Sequence, residues 1–309
     1  STTGTLRARL NVAAAFASAE NLPVGFGRGA RAGTNTAALA SHGFNAGGVD
    51  NKSYEYNGTS WTTTGTVNQT MRVMGSSGVQ TSAMAFCGAL NPNNPDFPPS
   101  LSNKTESYNG SSWTNETNYP TNQYGNSGAG VSETSTLSFG GEAPPGVFNT
   151  TKSYNGSSWT AEPAMNLASY AVGGAGTETA ALKTGRYDPV GPGTNQAEEF
   201  DGSSWTNVNA SSNSRSNNFA TGGLQTSAFS AGGFGPGSPS PTIAAAESYD
   251  GTNWANMANL ANAGERGGSS LTTPSASALV WGGNPYPGTG ISTEQYTAAY
   301  VGTETVTTS

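Results

Sequence analysis

Histidine, cysteine and charge are scarce in this chain, and each shortage closes off a kind of chemistry. His42 is the single histidine, so a histidine-built metal site and Cys/His zinc spacing are both excluded. A Ser-His-Asp triad would rest on His42 alone, and no Gly-x-Ser-x-Gly elbow accompanies it. Cys87 is the single cysteine, which excludes an internal disulfide framework. It lies in the apolar run Ala83-Met84-Ala85-Phe86-Cys87-Gly88 and reads as a buried, inert thiol. Only 10% of residues are charged, and the 12 Lys and Arg are thinly spread in a chain of net charge -7. Binding to nucleic acid through phosphate neutralisation is therefore not expected. No apolar run approaches the ~20 residues that span a bilayer, so membrane insertion is not expected. The stretch from Ser1 to Arg9 lacks the basic-then-apolar order of a secretory signal.

Hydrophobic residues are few as well, at 34%, but aromatics make up 9% and recur at fixed places. Disordered chains combine high net charge with few aromatics, so an all-β protein rich in turns fits better. The recurring unit is clearest at Tyr154-Asn155-Gly156-Ser157-Ser158-Trp159. An aromatic ends one strand, Asn-Gly turns the chain, and Trp opens the return strand, which is a hairpin signal. The unit recurs at Tyr56…Trp61, Tyr108…Trp113, Phe200…Trp205 and Tyr249…Trp254. Successive Trp residues are 52, 46, 46 and 49 apart, within the range of propeller blades.

A second unit precedes each hairpin, as in Gly33-Thr34-Asn35-Thr36-Ala37-Ala38-Leu39 and Gly176-Thr177-Glu178-Thr179-Ala180-Ala181-Leu182. Each repeat thus offers four short strands, here a to d. Strand a precedes the Gly-Thr turn, b follows it, c ends at the aromatic and d carries the Trp. Six copies of strand b (Leu39, Met84, Leu137, Leu182, Phe229, Leu279) argue for six blades. Tyr296 marks the sixth strand c, yet no Trp follows it. Each Trp stands 23 to 25 residues before the next strand-b residue, and counting back 23 from Leu39 lands on Phe16. The N-terminal segment is therefore expected to supply the last strand and close the ring, which removes exposed sheet edges. The expected organisation is an arm at 1–11, a single propeller at 12–297 and a C-terminal strand or tail at 298–309. Phe16, Trp61, Trp113, Trp159, Trp205 and Trp254 are its structural repeat residues.

The Gly-Gly after strand b, the strand-c aromatic and the strand-d Trp resemble kelch repeats, with a Tyr-to-Trp step shorter than the usual kelch unit. The wording Glu-Ser-Tyr-Asn-Gly-Ser-Ser-Trp-Thr is similar to kelch-like repeats in virion proteins of tailed, especially marine, phages. The resemblance covers residues ~20 to 296 and speaks to fold more than to role. It implies a non-enzymatic protein of the virion surface, a tail fibre or adhesin or a head decoration. The implied partners are other virion proteins and host surface glycans. Galactose oxidase, a copper enzyme with kelch-type blades, needs two His and a Tyr-Cys cross-link, which this chain cannot assemble. No metal and no cofactor are expected.

Four carboxylates share one register: Glu106, Glu198, Glu247 and Glu294 each lie two before the strand-c aromatic, where Tyr54 and Lys152 stand in other repeats. They read either as a ring of acids or, as we prefer, as structural residues bonding to a neighbouring blade. Arg28, Arg31, Arg72, Arg215 and Arg266 precede strand a or lie within it and are candidates to converge. That leaves a polysaccharide-active, sialidase-like enzyme as an alternative, beside a purely structural subunit held by the N-terminal arm. The Asn-Gly-Ser/Thr sites match the glycosylation pattern but are explained by turn chemistry.

Because strands alternate direction, the a–b and c–d turns share one face and the b–c and d–a segments the other. The first set is short and uniform, whereas the second reads as variable in length and composition. Exposed loops on a rigid scaffold are where binding residues concentrate. The loop face is therefore the expected binding face, with candidates Asn91, Asn93, Asp96, Phe97, Phe148, Tyr187, Asp188, Phe234 and Tyr286. Aromatics beside Asn and Asp suit sugars.

Overall fold

The computed structural model describes residues 5–45, 48–90, 100–186, 194–217, 220–236, 241–265, 267–283 and 290–307, with the backbone alone at 5–11 and 301–307. Asn91, Asn93, Asp96, Phe97, Tyr187, Asp188, Arg266 and Tyr286 lie outside these residues.

Six four-stranded antiparallel sheets form a β-propeller. Blade 1 comprises Ala30–Gly33, Ala38–Ser41, Lys52–Tyr56 and Trp61–Thr66. Blade 2 comprises Gly75–Val79, Ser82–Ala89, Leu101–Tyr108 and Trp113–Asn115. Blade 3 comprises Ser127–Ser132, Ser135–Phe139, Thr151–Tyr154 and Trp159–Glu162. Blade 4 comprises Gly173–Gly176, Ala181–Arg186, Thr194–Phe200 and Trp205–Val208. Blade 5 comprises Thr221–Leu224, Ser227–Ala231, Ala246–Tyr249 and Trp254–Asn256. Blade 6 takes strands a to c from Gly268–Ser269, Leu279–Trp281 and Thr293–Thr297, and strand d from Ala15–Ala19. The ring is thus closed by the N-terminal segment, with Phe16 paired to Tyr296 as each Trp is paired to its own strand-c aromatic. Outside the ring, Thr5–Val12 pairs with Tyr300–Thr307 as a two-stranded ribbon.

Small residues let the inner strands crowd together. Each strand a neighbours the strand a on either side. A Cβ at Gly128 would collide with the Ser76 carbonyl oxygen of blade 2, so only glycine permits that approach. Farther out, aromatics fill the space between blades. Phe86 of blade 2 meets Trp159 of blade 3, and Phe139 of blade 3 meets Trp205 of blade 4, edge to face at 5.2 Å each. Each strand-d indole N–H crosses to the preceding blade. Trp113 donates to Ser53 Oγ, Trp205 to Thr151 Oγ1 and Trp61 to Thr293 Oγ1, while Trp159 and Trp254 donate to the carbonyls of Thr117 and Asn209.

The Gly-Gly that follows strand b marks a left-handed backbone position, at Gly140, Gly232 and Gly282. In blades 1 and 2 the same position carries His42 (φ 55°) and Cys87 (φ 60°). Both are fully buried. The lone histidine and lone cysteine are thus side chains in glycine's place, a backbone strain that surrounding packing must hold.

Candidate binding face

The d–a segments are uniform in course, which corrects the expectation that they vary. Leu22, Val67, Tyr119, Met165, Ser211 and Leu260 each lie six residues after their strand-d aromatic. Each donates its backbone N–H to a carbonyl at or near the start of a strand c: Ile291, Asn51, Asn103, Asn149, Asn195 and Ala244. Six residues later the chain adopts a left-handed turn at Arg28, Val73, Gly125, Ala171 and Asn217. Side chains differ from copy to copy while backbone bonds persist, so composition misleads about these straps. The variation lies in the b–c loops.

The register-matched glutamates hold the straps down. Asn68 and Gln69 N–H donate to Glu106 at 2.9 and 2.7 Å, and Ser212 and Asn213 to Glu247 at 2.6 and 3.3 Å. Asn166 donates to Glu198 at 2.8 Å and Ala261 to Glu294 at 2.7 Å. All four carboxylates are buried. They join blades, as a buried charge accepting backbone N–H bonds should. Three also meet a cationic or basic side chain. Arg215 reaches Glu247 at 2.7 Å, Lys183 reaches Glu198 at 3.5 Å, and His42 Nε2 faces Glu106 at 3.6 Å. Burial lowers the Lys183 and Arg215 pKa values, and their carboxylate partners oppose the shift.

Around the axis on this face, a residue at or just past the end of strand b bridges to the strap of its blade: Phe44 to Gly27, Ala89 to Arg72, Glu142 to Tyr124 and Phe234 to Ser216. Arg28 grips Glu265 with two nitrogens, at 2.7 and 3.2 Å, and Arg72 lies over the Phe44 ring at 5.7 Å. Burial raises the Glu265 pKa, with Arg28 and then Arg72 pulling it back. Tyr124 donates to Glu142 at 3.0 Å, and burial raises that carboxyl while the Tyr124 and Tyr170 hydroxyls hold it down. Of the arginines expected to converge, Arg28 and Arg72 do so on Glu265. Arg31 is instead buried in strand a of blade 1, where desolvation lowers its pKa to about 9. Arg215 is held by Glu247 and the carbonyls of Gly232 and Ala245.

Phe148 and Phe234 are half-buried and backbone-bonded to the strap region, Phe148 to Gly141 and Ser169 and Phe234 to Ser216, so they sit at the base of the loops. Sequence reasoning passed over Phe44, Tyr124, Glu142 and Tyr170. Their signal is positional, next to the left-handed residue of the strap or of strand b. Among the described residues no group of three His, Cys, Asp or Glu side chains forms a metal site.

On the opposite face the c–d turns are uniform. In every c–d turn the Asn or Asp side chain accepts two backbone N–H bonds, for example Asn109 from Ser111 and Ser112, and Asp250 from Thr252 and Asn253. Gln80 and Gln225, in a–b turns, donate to two carbonyls of the preceding blade.

Solved structures share this architecture. The structure of YjhT aligns over 92% of this chain and 99% of its own, with a TM-score of 0.72 and 15% sequence identity. At that identity the likeness shows the fold alone, and 206 solved chains match, so shape does not select a role. No family model matches the chain. No curated protein matches it either.

Proposed function

We propose that this propeller is a non-catalytic binding module that recognises glycan or protein through its b–c loops. The observation that supports this reading is the contrast between its faces. The c–d turns of blades 1 to 5 repeat the same side-chain bonds, and the straps repeat their backbone bonds. The b–c segments differ in length and composition from copy to copy. Folding maintains what is repeated, and contact makes use of what is not. The recurring glutamates, bound to strap amides, serve the scaffold.

The kelch-like wording of the repeat supports a place on a phage virion surface, as tail fibre, adhesin or head decoration. The second reading, a structural subunit of the particle, is favoured by the ribbon of Thr5–Val12 and Tyr300–Thr307, which lies outside all six blade sheets. The test replaces residues 91–99 with a short Gly-Ser turn, and in a second protein substitutes Phe148 and Phe234 by Ala. Both are assayed on a glycan array, on host cells and for incorporation into particles. Loss of glycan or cell binding with normal incorporation is the expected result. Normal binding with lost incorporation reverses the assignment in favour of the structural subunit.

A further inference from the structure

Blade 4 departs from its neighbours under the strap that enters it. In blades 2 and 5 two successive strap amides bind the register glutamate. In blade 4 Asn166 N–H binds Oε2 of Glu198, and Lys183 Nζ lies 3.5 Å from Oε1. Lys183 occupies the strand-b place held by Ala40, Ala85, Ser138, Ser230 and Val280 in the other blades. Beyond Asn166 the strap runs on to Leu167, whose carbonyl accepts from Ser169 Oγ at 3.1 Å. A cavity of about 240 Å³ opens there, between the strap and the outer strands of the blade.

We propose that this cavity is a subsite for one neutral sugar ring, an inference that rests on the glycan reading of the binding face. Its size is below the ~300 Å³ at which drug-sized pockets begin, which suits a single ring. Its chemistry is carboxamide against aliphatic. Gln196 is exposed at the cavity with its amide uncommitted. Asn207 Oδ1 accepts from Asn166 Nδ2 at 3.3 Å, leaving the Asn207 Nδ2 donors and Asn166 Oδ1 open. Leu167, Val208 and Ala210 supply the apolar wall. A hydroxyl both donates and accepts, as a carboxamide does, so vicinal hydroxyls match these groups. Charge argues for neutrality. Glu198 is compensated by Lys183, both are buried, and both carboxylate oxygens are already bonded. An anion would find no open cation there, and a cation no open carboxylate.

The test is a chemical-shift titration of the whole protein with methyl α-glucoside, methyl α-galactoside, methyl α-mannoside and, as the charged control, glucuronate. The expected result is millimolar binding of at least one neutral glycoside, shifting the amides of Leu167, Gln196 and Val208, with glucuronate at least tenfold weaker. Gln196→Ala with Asn207→Ala, which removes no backbone bond, should weaken binding at least tenfold without changing the melting temperature. Ala210→Trp, which fills the cavity from its edge, should abolish it. Shifts confined to other residues, or glucuronate binding as tightly as the neutral sugars, overturn the proposal. So does a glycan-array signal unchanged by Ala210→Trp, and that outcome leaves the glycan reading standing. A blank array with hexoside binding retained at the cavity upholds the subsite and overturns the broader reading.

Discussion

Phe16 lies against Tyr296 as Trp159 lies against Tyr154: ring centroids 5.1 and 5.0 Å apart, interplanar angles 51° and 45°. One pair joins the two ends of the ring and the other sits within a single hairpin, yet the geometry is the same. What blade 6 lacks is the indole N–H that every other strand d sends to the preceding blade. Beside Tyr296, between blades 5 and 6, a cavity of about 190 Å³ is lined by Met257, Ala276 and Ala298.

Phe16→Trp should therefore stabilise the protein, by about 0.5–2 kcal/mol as cavity-filling changes commonly do. Its N–H would reach toward the carbonyl of Ala258, which stands four residues after its Trp as Thr117 and Asn209 do. Urea unfolding measures it. An unchanged or lowered midpoint would show that the closing joint has no room for the larger ring.

Trp205 is buried, packs on Phe139 and Phe200, and bonds Thr151 of the preceding blade. Trp205→Ala should cost about 3–5 kcal/mol. Trp205→Phe should cost about 1–3 kcal/mol, since it keeps a ring but leaves the Thr151 hydroxyl without its donor. A loss below ~1 kcal/mol for the alanine variant would mean that blade contacts do not govern stability.

Cys87 offers a test of backbone strain. Glycine holds its place in blades 3 to 6, so Cys87→Gly should exchange lost thiol packing for relieved strain, with a net change within about 1 kcal/mol. Cys87→Val should cost more than ~2 kcal/mol, because a branched side chain suits a φ of 60° worst. Equal costs for the two variants would remove strain from the account.

Acid sensitivity should separate the blades. Hydrogen bonds from Ser203 and Ser204 hold the exposed Asp201 carboxyl down to about 2, and Asn253 and Thr252 lower Asp250 likewise. A folded pKa below the unfolded value gives stability that is present above the unfolded value and lost as pH falls through the folded one. Between pH ~4 and ~2 the wild type should lose melting temperature faster than an Asp201→Asn, Asp250→Asn variant, whose turns would copy those of blades 1 to 3. High salt should shrink the difference, because both groups are exposed. Parallel curves would exclude these turns as the titrating element.

Blade number, strand order and ring closure were legible because the aromatic hairpin repeats at near-constant spacing in five copies, so counting back from Leu39 reached Phe16. The structural role of Glu106 and its counterparts was legible too, since a carboxylate at one register in four repeats points to one recurring partner. The straps were not. Their hold comes from backbone N–H and carbonyl groups, which Val67 and Met165 supply alike despite unlike side chains. His42 and Cys87 hid the strand-b turn of their blades by standing where glycine marks it elsewhere. The arrangement of Arg28, Arg72 and Glu265 joins residues from opposite ends of the sequence, which local spacing does not reveal.

Closure by Ala15–Ala19 also sets an order of events during synthesis. That strand leaves the ribosome early, but its partner Thr293–Thr297 emerges only after five other blades have been made. Blades 1 to 5 draw their strands from consecutive sequence and can pair as they appear, whereas blade 6 waits for the most distant contact in the ring. In a chain stopped short of residue 293, Phe16 has no Tyr296 to cover it and the ring stays open at one joint. Such fragments should be held by chaperones or associate through that joint, and release of a closed, monodisperse ring should coincide with completion of its last blade.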